Sequence, residues 1–137
     1  MRTILLTLVV VCLAAVLAWF RLGHAVARDD KGGTDDMTEQ RSEMVRVLMA
    51  YGINDQRLLA TMGKVRRHRF IPESYLWSAD PYGDHPCPIG HGQTISQPYI
   101  VAYMTGRIHP QPGEKILEIG TGSGYQAAVL ADLGADV

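Results

Sequence analysis

The chain has 137 residues, of which 47% are hydrophobic and 20% are charged, with 13 basic side chains against 14 acidic ones. This composition is typical of a globular protein and excludes a disordered or a fibrous chain. The net charge of −1 gives no general attraction to a polyanion, so we expect no nucleic-acid partner.

The first 27 residues have the pattern of a secretory signal peptide. A short positive start at residues 1–3 precedes an apolar, uncharged run over residues 4–20, and Ala25, Val26 and Ala27 give the small-x-small pattern that signal peptidase cleaves. The alternative is an uncleaved membrane anchor, because the run lies at the short limit for a spanning helix. We therefore predict export to the periplasm or envelope, with membrane contact only through residues 4–20 if the signal is retained.

The next segment, residues 28–37, is polar and glycine-bearing, which is typical of a flexible linker. The domain part, residues 38–137, begins with two predicted amphipathic helices. The first starts at Thr38 and ends at Gly52, and the second is capped by Asn54 or Asp55 and ends at Gly63. Their predicted apolar faces consist of Met44, Val47, Leu48 and Tyr51 in the first helix and of Leu58, Leu59 and Met62 in the second.

A basic stretch over residues 64–69 follows, and we interpret its run at residues 66–69 as a solvated surface. Residues 72–92 are rich in proline and glycine, which excludes a long helix or a central strand there. Within this loop Cys87 is interpreted as a small buried apolar residue. His85 and His91 lie nearby, but three candidate ligands without a second cluster do not predict a metal site.

A third helix is predicted to begin at Pro98, which suits the first turn of a helix. Its predicted apolar face consists of Ile100, Val101, Met104 and Ile108. Prolines at positions 110 and 112 end this helix.

The last part of the chain reads as strand, glycine turn, helix and strand. Residues 115–119 predict a buried strand, residues 120–124 a tight turn, and residues 125–133 a helix that Gly134 ends, with residues 136–137 starting the next strand. This order opens a doubly wound α/β sheet. The fold class is therefore α/β, the start of a Rossmann-like sheet behind a small helical region. A lone core strand cannot satisfy its backbone, so we expect the chain to be the N-terminal portion of a domain.

The glycine turn indicates a ligand. Gly120, Gly122 and Gly124 alternate, and Tyr125 stands where the third glycine of the dinucleotide fingerprint should fall, which disfavours a nicotinamide oxidoreductase. Glu118 lies two residues before the first glycine. A carboxylate beside a close backbone turn suits S-adenosyl-L-methionine, which carries a cationic ammonium group, better than it suits a pyrophosphate.

Three segments of the chain resemble the bacterial protein-L-isoaspartate O-methyltransferases. They are residues 65–72, 88–99 and 117–131, and the sequence GQTISQP at residues 92–98 is the most specific to that family. The resemblance implies transfer of a methyl group from S-adenosyl-L-methionine to the α-carboxylate of L-isoaspartyl or D-aspartyl residues in damaged proteins. It also implies that isoaspartyl proteins or peptides are the partners.

The resemblance places Ser96 at the active-site serine of the family and Thr94 in the same pocket. From the residues alone, both would be interpreted as turn-forming hydroxyls near Pro98. The cofactor contacts implied in this way are Glu118, Gly120, Thr121, Gly122 and Gly124.

Two features depart from the family. Its members are typically cytoplasmic, which is the alternative to the predicted export. The acid expected to bind the ribose would fall beyond Val137, so we expect this chain by itself to be inactive. The alternative function is an inactive envelope-anchored remnant or a binding module that retains the glycine turn.

Overall fold

The computed structural model describes residues 37–76 and 78–137. The predicted signal peptide (1–27) and all but the last residue of the predicted linker (28–37) lie outside the described residues. Within the described part, no helix is both long and apolar enough to cross a membrane.

The first helix, α1, spans Thr38–Ala50 and confirms the first predicted helix. It ends at a glycine as predicted, because Gly52 adopts a φ of 90°, which residues with a side chain rarely do. Met44 and Leu48 are buried, whereas Tyr51 lies just past the helix end and is 56% exposed. The predicted apolar face is therefore right in its middle and wrong at Tyr51.

The second helix, α2, spans Gln56–Lys64. Asp55 is its cap, because one oxygen of its carboxylate accepts the backbone N–H groups of Arg57 and Leu58 at 2.9 and 3.1 Å. The helix continues one residue beyond its predicted end, since a glycine such as Gly63 weakens a helix without forbidding it. The predicted face is confirmed, with Leu58, Leu59 and Met62 all buried.

Short elements fill the proline- and glycine-rich region, as predicted. A 3₁₀ helix at Arg67–Phe70 leads to α3, a single turn at Glu73–Leu76. An antiparallel hairpin follows, formed by β1 (Cys87–Gly90) and β2 (Gln93–Ile95). Cys87 is paired with Ile95 in the hairpin and is 1% exposed, which confirms its interpretation as a buried apolar residue.

The helix α4 spans Pro98–Ile108 and begins at the predicted proline. Its buried residues are Pro98, Val101, Ala102 and Thr105. Ile100, Met104 and Ile108, predicted to be buried with Val101, are instead 37%, 46% and 51% exposed. This helix is apolar around much of its circumference, so the spacing of its apolar residues did not identify the face that packs.

The glycine turn connects to α5, which spans Tyr125–Asp132, and Gly134 with a φ of 96° ends this helix region as predicted. Parallel pairing across the turn and helix is also present. Lys115 forms a parallel bridge with Asp136, and the backbone of Asp136 exchanges 2.8 Å hydrogen bonds with Glu114 and Ile116. The glycine turn and the helix follow in the predicted order, whereas the two predicted strands are represented only by the single bridge between Lys115 and Asp136.

The prediction of a buried strand at residues 115–119 is wrong, because only an isolated bridge at Lys115 forms there and the segment is not buried. Leu117 and Ile119 are 85% and 89% exposed. A strand of a parallel sheet is buried only when it has a neighbour on each side and helices over both faces. Among the described residues, bridge pairing reaches this segment only from Asp136, so the strand is started but not covered.

One core joins the helical region to α5. Arg57 of α2 donates to the carbonyl of Leu133 at 3.1 Å, and Thr61 donates to the carboxylate of Asp132 at 3.1 Å. These bonds hold α5 against α2 at the end opposite the glycine turn. Buried apolar residues shared by this core include Met44, Leu48, Leu58, Leu59, Met62, Ile95, Val101, Ala102, Tyr125, Val129 and Leu133.

Candidate functional site

The glycine turn has the backbone conformation that its sequence predicts. Gly120, Gly122 and Gly124 have φ values of 82°, 57° and 82°, a region that favours glycine. A side chain at Gly120 would meet no atom within 4 Å. The turn therefore requires glycine for its backbone shape, and the space beside Gly120 stays open to a ligand.

A cleft of ≈ 660 Å³ lies beside this turn, within the range of about 300–1,000 Å³ that small-molecule sites occupy. Residues from the hairpin, from α4, from the glycine turn and from α5 line it. Six of the seven predicted site residues belong to this lining: Thr94, Ser96, Glu118, Gly120, Thr121 and Gly122. The seventh, Gly124, lies outside the lining and is the residue from which α5 starts.

The end of the hairpin places Thr94 and Ser96 at the cleft. Ile95 between them is 2% exposed and anchors the strand in the core. Side chains two residues apart in an extended chain point to the same side, so the two hydroxyls face away from the core together. Neither hydroxyl has a hydrogen-bond partner among the described residues, which leaves both able to donate to a ligand.

Glu118 is the acidic residue in the lining of the cleft. Its Oε2 atom is buried and finds no hydrogen-bond donor in the described part of the chain. A buried acceptor without a donor costs free energy, which a ligand carrying an ammonium or hydroxyl group would recover. The residues present therefore fit S-adenosyl-L-methionine, which offers both kinds of donor.

Asp84, which the sequence did not single out, fixes the chain just after Ser96. Its carboxylate accepts the backbone N–H of Tyr99 at 2.8 Å and the side-chain amide of Gln97 at 3.2 Å. It therefore caps α4 from a distant loop and holds the connection between β2 and α4. No local pattern predicts such a cap, because the carboxylate is not next to the helix in sequence.

Arg67 corrects the interpretation of the basic run as a solvated surface. Its side chain is fully buried and donates to the carbonyls of Pro81 and Ser96, each at 2.7 Å, and to that of His85 at 3.4 Å. Its guanidinium carbon lies 5.1 Å from the centroid of the Tyr125 ring. The only hint in the sequence was that Arg67 lies in a segment that carries the family resemblance.

Burial changes the acid–base properties of this pair. Loss of solvent lowers the pKa of Arg67, and the neighbouring Tyr125 and Cys87 oppose that shift. Loss of solvent raises the pKa of Tyr125, against the attraction of the Arg67 charge. At neutral pH the pair is therefore a cation over a neutral ring, and no carboxylate in the described residues forms a salt bridge with Arg67.

The residues weighed as metal ligands lie only partly together. The Cys87 sulfur is 3.8 Å from Nδ1 of His85. Across the described residues, no group of three histidine, cysteine or acidic side chains has the arrangement needed to hold a metal ion.

Comparison with known proteins places most of the chain in one family. The family model described as protein-L-isoaspartate(D-aspartate) O-methyltransferase matches residues 39–136. A relative of that name from Gloeobacter violaceus is 62% identical over 86 residues, which are 63% of this chain and 41% of the relative. One from Methanoregula boonei is 55% identical over 101 residues, covering 73% of this chain and 46% of the relative.

Solved structures show the same relationship. A chain described as a protein-L-isoaspartate O-methyltransferase from Plasmodium falciparum, in complex with S-adenosyl-L-homocysteine, matches with a TM-score of 0.58 and 32% identity. The match covers 68% of this chain and 42% of that one. The fold is thus that of S-adenosyl-L-methionine-dependent methyltransferases, and the chain spans less than half the length of the relatives compared here.

Proposed function

The chain belongs to the protein-L-isoaspartate(D-aspartate) O-methyltransferase family, and from that premise we propose its function. We propose that it takes part in protein repair. In this reaction a methyl group is transferred from S-adenosyl-L-methionine to the α-carboxylate of L-isoaspartyl or D-aspartyl residues in damaged proteins. One observation carries the proposal: the hairpin hydroxyls and the glycine turn line the same cleft. Acceptor and methyl donor would therefore meet there.

Four residues of the cleft lining would hold the cofactor, which supplies an electrophilic methyl group. The backbone at Gly120, Thr121 and Gly122 allows close approach, since no side chain of the two glycines obstructs it. Gly124 acts indirectly by starting α5. Glu118 would accept a hydrogen bond through its unpaired Oε2.

The acceptor requires alignment more than activation. A carboxylate is ionised at neutral pH, so it needs no general base to act as a nucleophile. Thr94 and Ser96 can donate hydrogen bonds that orient its oxygens without adding a charge. Correct orientation of two reacting groups supplies much of the rate enhancement available to such a site.

A transfer assay tests the proposal. Labelled S-adenosyl-L-methionine is incubated with an isoaspartyl peptide or with the same peptide containing normal aspartate. The assay is run on this chain and on a chimera in which the remaining length of the Methanoregula boonei relative follows Val137. We expect the chimera to label the isoaspartyl peptide alone and this chain by itself to label neither peptide. A chimera that labels neither peptide would contradict the proposal, and cofactor binding without transfer would favour the binding module.

We also propose that residues 1–27 direct export, followed by a linker at 28–37 and the methyltransferase portion at 38–137. The apolar run and the small-x-small pattern support this proposal. Cell fractionation of the chain with and without residues 1–27 tests it. Equal cytoplasmic recovery of both forms would favour the cytoplasmic alternative.

A further inference from the structure

Arg67 connects the two halves of the cleft, although it does not line the cleft itself. One of its guanidinium nitrogens donates to the Ser96 carbonyl at 2.7 Å, and its charged plane lies over the ring of Tyr125. Ser96 ends the hairpin side of the cleft. Tyr125 is the first residue of α5, directly after the glycine turn. The Arg67 side chain thus contacts both the backbone of Ser96 on the hairpin side and the ring of Tyr125 at the start of α5.

We infer that Arg67 is a positioning residue, which sets the Ser96 hydroxyl relative to the glycine turn. This inference rests on the proposed function. The bond to the Ser96 carbonyl fixes the peptide plane between Ser96 and Gln97. Asp84 holds the next part of the chain by accepting the side-chain amide of Gln97 and the backbone N–H of Tyr99. Together these contacts restrict the backbone that carries the Ser96 side chain from two sides.

The bonding of Arg67 is unusual for a residue that serves packing alone. Burying a charge is costly, and an apolar residue of similar size often stabilises a core equally well. Arg67 is nevertheless fully buried and satisfied by three carbonyls, those of Pro81, His85 and Ser96. A planar guanidinium can bond several carbonyls in fixed directions, which an apolar side chain or a lysine cannot do. The guanidinium of Arg67 therefore fixes the relative positions of the three carbonyls that it bonds.

The test compares Arg67→Lys with Arg46→Lys, using the 137-residue chain for exchange, affinity and melting, and the Methanoregula boonei chimera described above for turnover. The control residue lies on α1, where Arg46 forms a surface ion pair with Glu43. Three quantities are measured: deuterium exchange of residues 93–99, affinity for S-adenosyl-L-homocysteine, and kcat and KM for an isoaspartyl peptide. Melting temperature reports the folded state of each variant.

We expect Arg67→Lys to speed exchange at residues 93–99 about tenfold while exchange in α1 stays unchanged. The kcat should fall about 10- to 100-fold, with KM and product affinity within about threefold of the unsubstituted chain. The control should behave like the unsubstituted chain. Unchanged exchange at 93–99, or equally faster exchange in all elements, would overturn the inference.

Two further outcomes are separable. If the unsubstituted chimera transfers no methyl group, the proposed function is at stake, while the exchange pattern still decides the role of Arg67. If Arg67→Lys does not fold, Arg67→Met keeps most of the buried volume and removes the bonds to the carbonyls of Pro81, His85 and Ser96. Faster exchange at 93–99 in that variant supports the inference, and unchanged exchange there overturns it.

Discussion

The carboxylate of Asp84 accepts the backbone N–H of Tyr99 at 2.8 Å and so caps α4 across 15 residues of sequence. The second carboxylate oxygen accepts the side-chain amide of Gln97, the residue before the helix. Because Gln97 directly follows Ser96, this cap is also part of the support for the cleft.

Replacing Asp84 with alanine should lower the free energy of unfolding by about 1 kcal/mol, the usual effect of removing a helix cap. The Asp84→Asn variant retains an oxygen that can accept from Tyr99 and should lose less stability. Urea unfolding of the three proteins measures the difference. Equal stability of Asp84→Ala and the unsubstituted chain would show that the cap contributes nothing.

Replacing Glu118 with glutamine should weaken binding of S-adenosyl-L-methionine or S-adenosyl-L-homocysteine by about 10-fold or more, since hydrogen bonds to a charged acceptor contribute about 1.5–3 kcal/mol. The melting temperature should change little, because Oε2 has no protein donor to lose in the described part. Titration calorimetry measures the affinity. Glu73→Gln on the exposed turn α3 is the control and should bind normally.

Removing the hydroxyl of Ser96 should lower kcat about 10- to 100-fold through poorer alignment of the acceptor carboxylate. Affinity for S-adenosyl-L-homocysteine should remain intact, because this hydroxyl is assigned to the acceptor. Methyl transfer by the chimera and calorimetry on the chain compare Ser96→Ala with the surface variant Ser78→Ala. An equal loss of affinity and turnover in Ser96→Ala would mean that its assigned role is wrong.

Replacing Gly120 with alanine should lower the free energy of unfolding by about 1–2 kcal/mol, because its φ of 82° is a backbone conformation that is strained for a residue with a side chain. A matched control exists within α4. An added Cβ at Gly106 would lie 3.6 Å from Leu58, an ordinary contact, so Gly106→Ala should be neutral or stabilising by up to about 1 kcal/mol. Urea unfolding of both variants tests this contrast. Similar effects at both positions would contradict it.

Local features of the fold were predictable from the sequence. The cap at Asp55, the start of α4 at Pro98 and the glycine turn each depend on residues within a few positions of one another. The placement of Thr94 and Glu118 in one cleft followed from the order of elements together with the family resemblance. Their roles in binding stay predictions until the variants above are measured.

Features set by distant contacts were not predictable. Burial of Arg67 depends on carbonyls at Pro81, His85 and Ser96, which no pattern around the basic run reveals. The exposure of Leu117 has a similar origin, since a strand is buried only by the elements that pack on it. In both cases the residue type alone indicated the opposite environment.

The contacts of Arg67 also constrain the order in which the chain can mature during synthesis. A ribosome releases Arg67 well before Ser96 and Tyr125, yet its charge cannot be buried without their carbonyl and ring. The 3₁₀ helix that begins at Arg67 therefore cannot reach its final packing until the glycine turn and Tyr125 have emerged. Until then the Arg67 guanidinium stays hydrated.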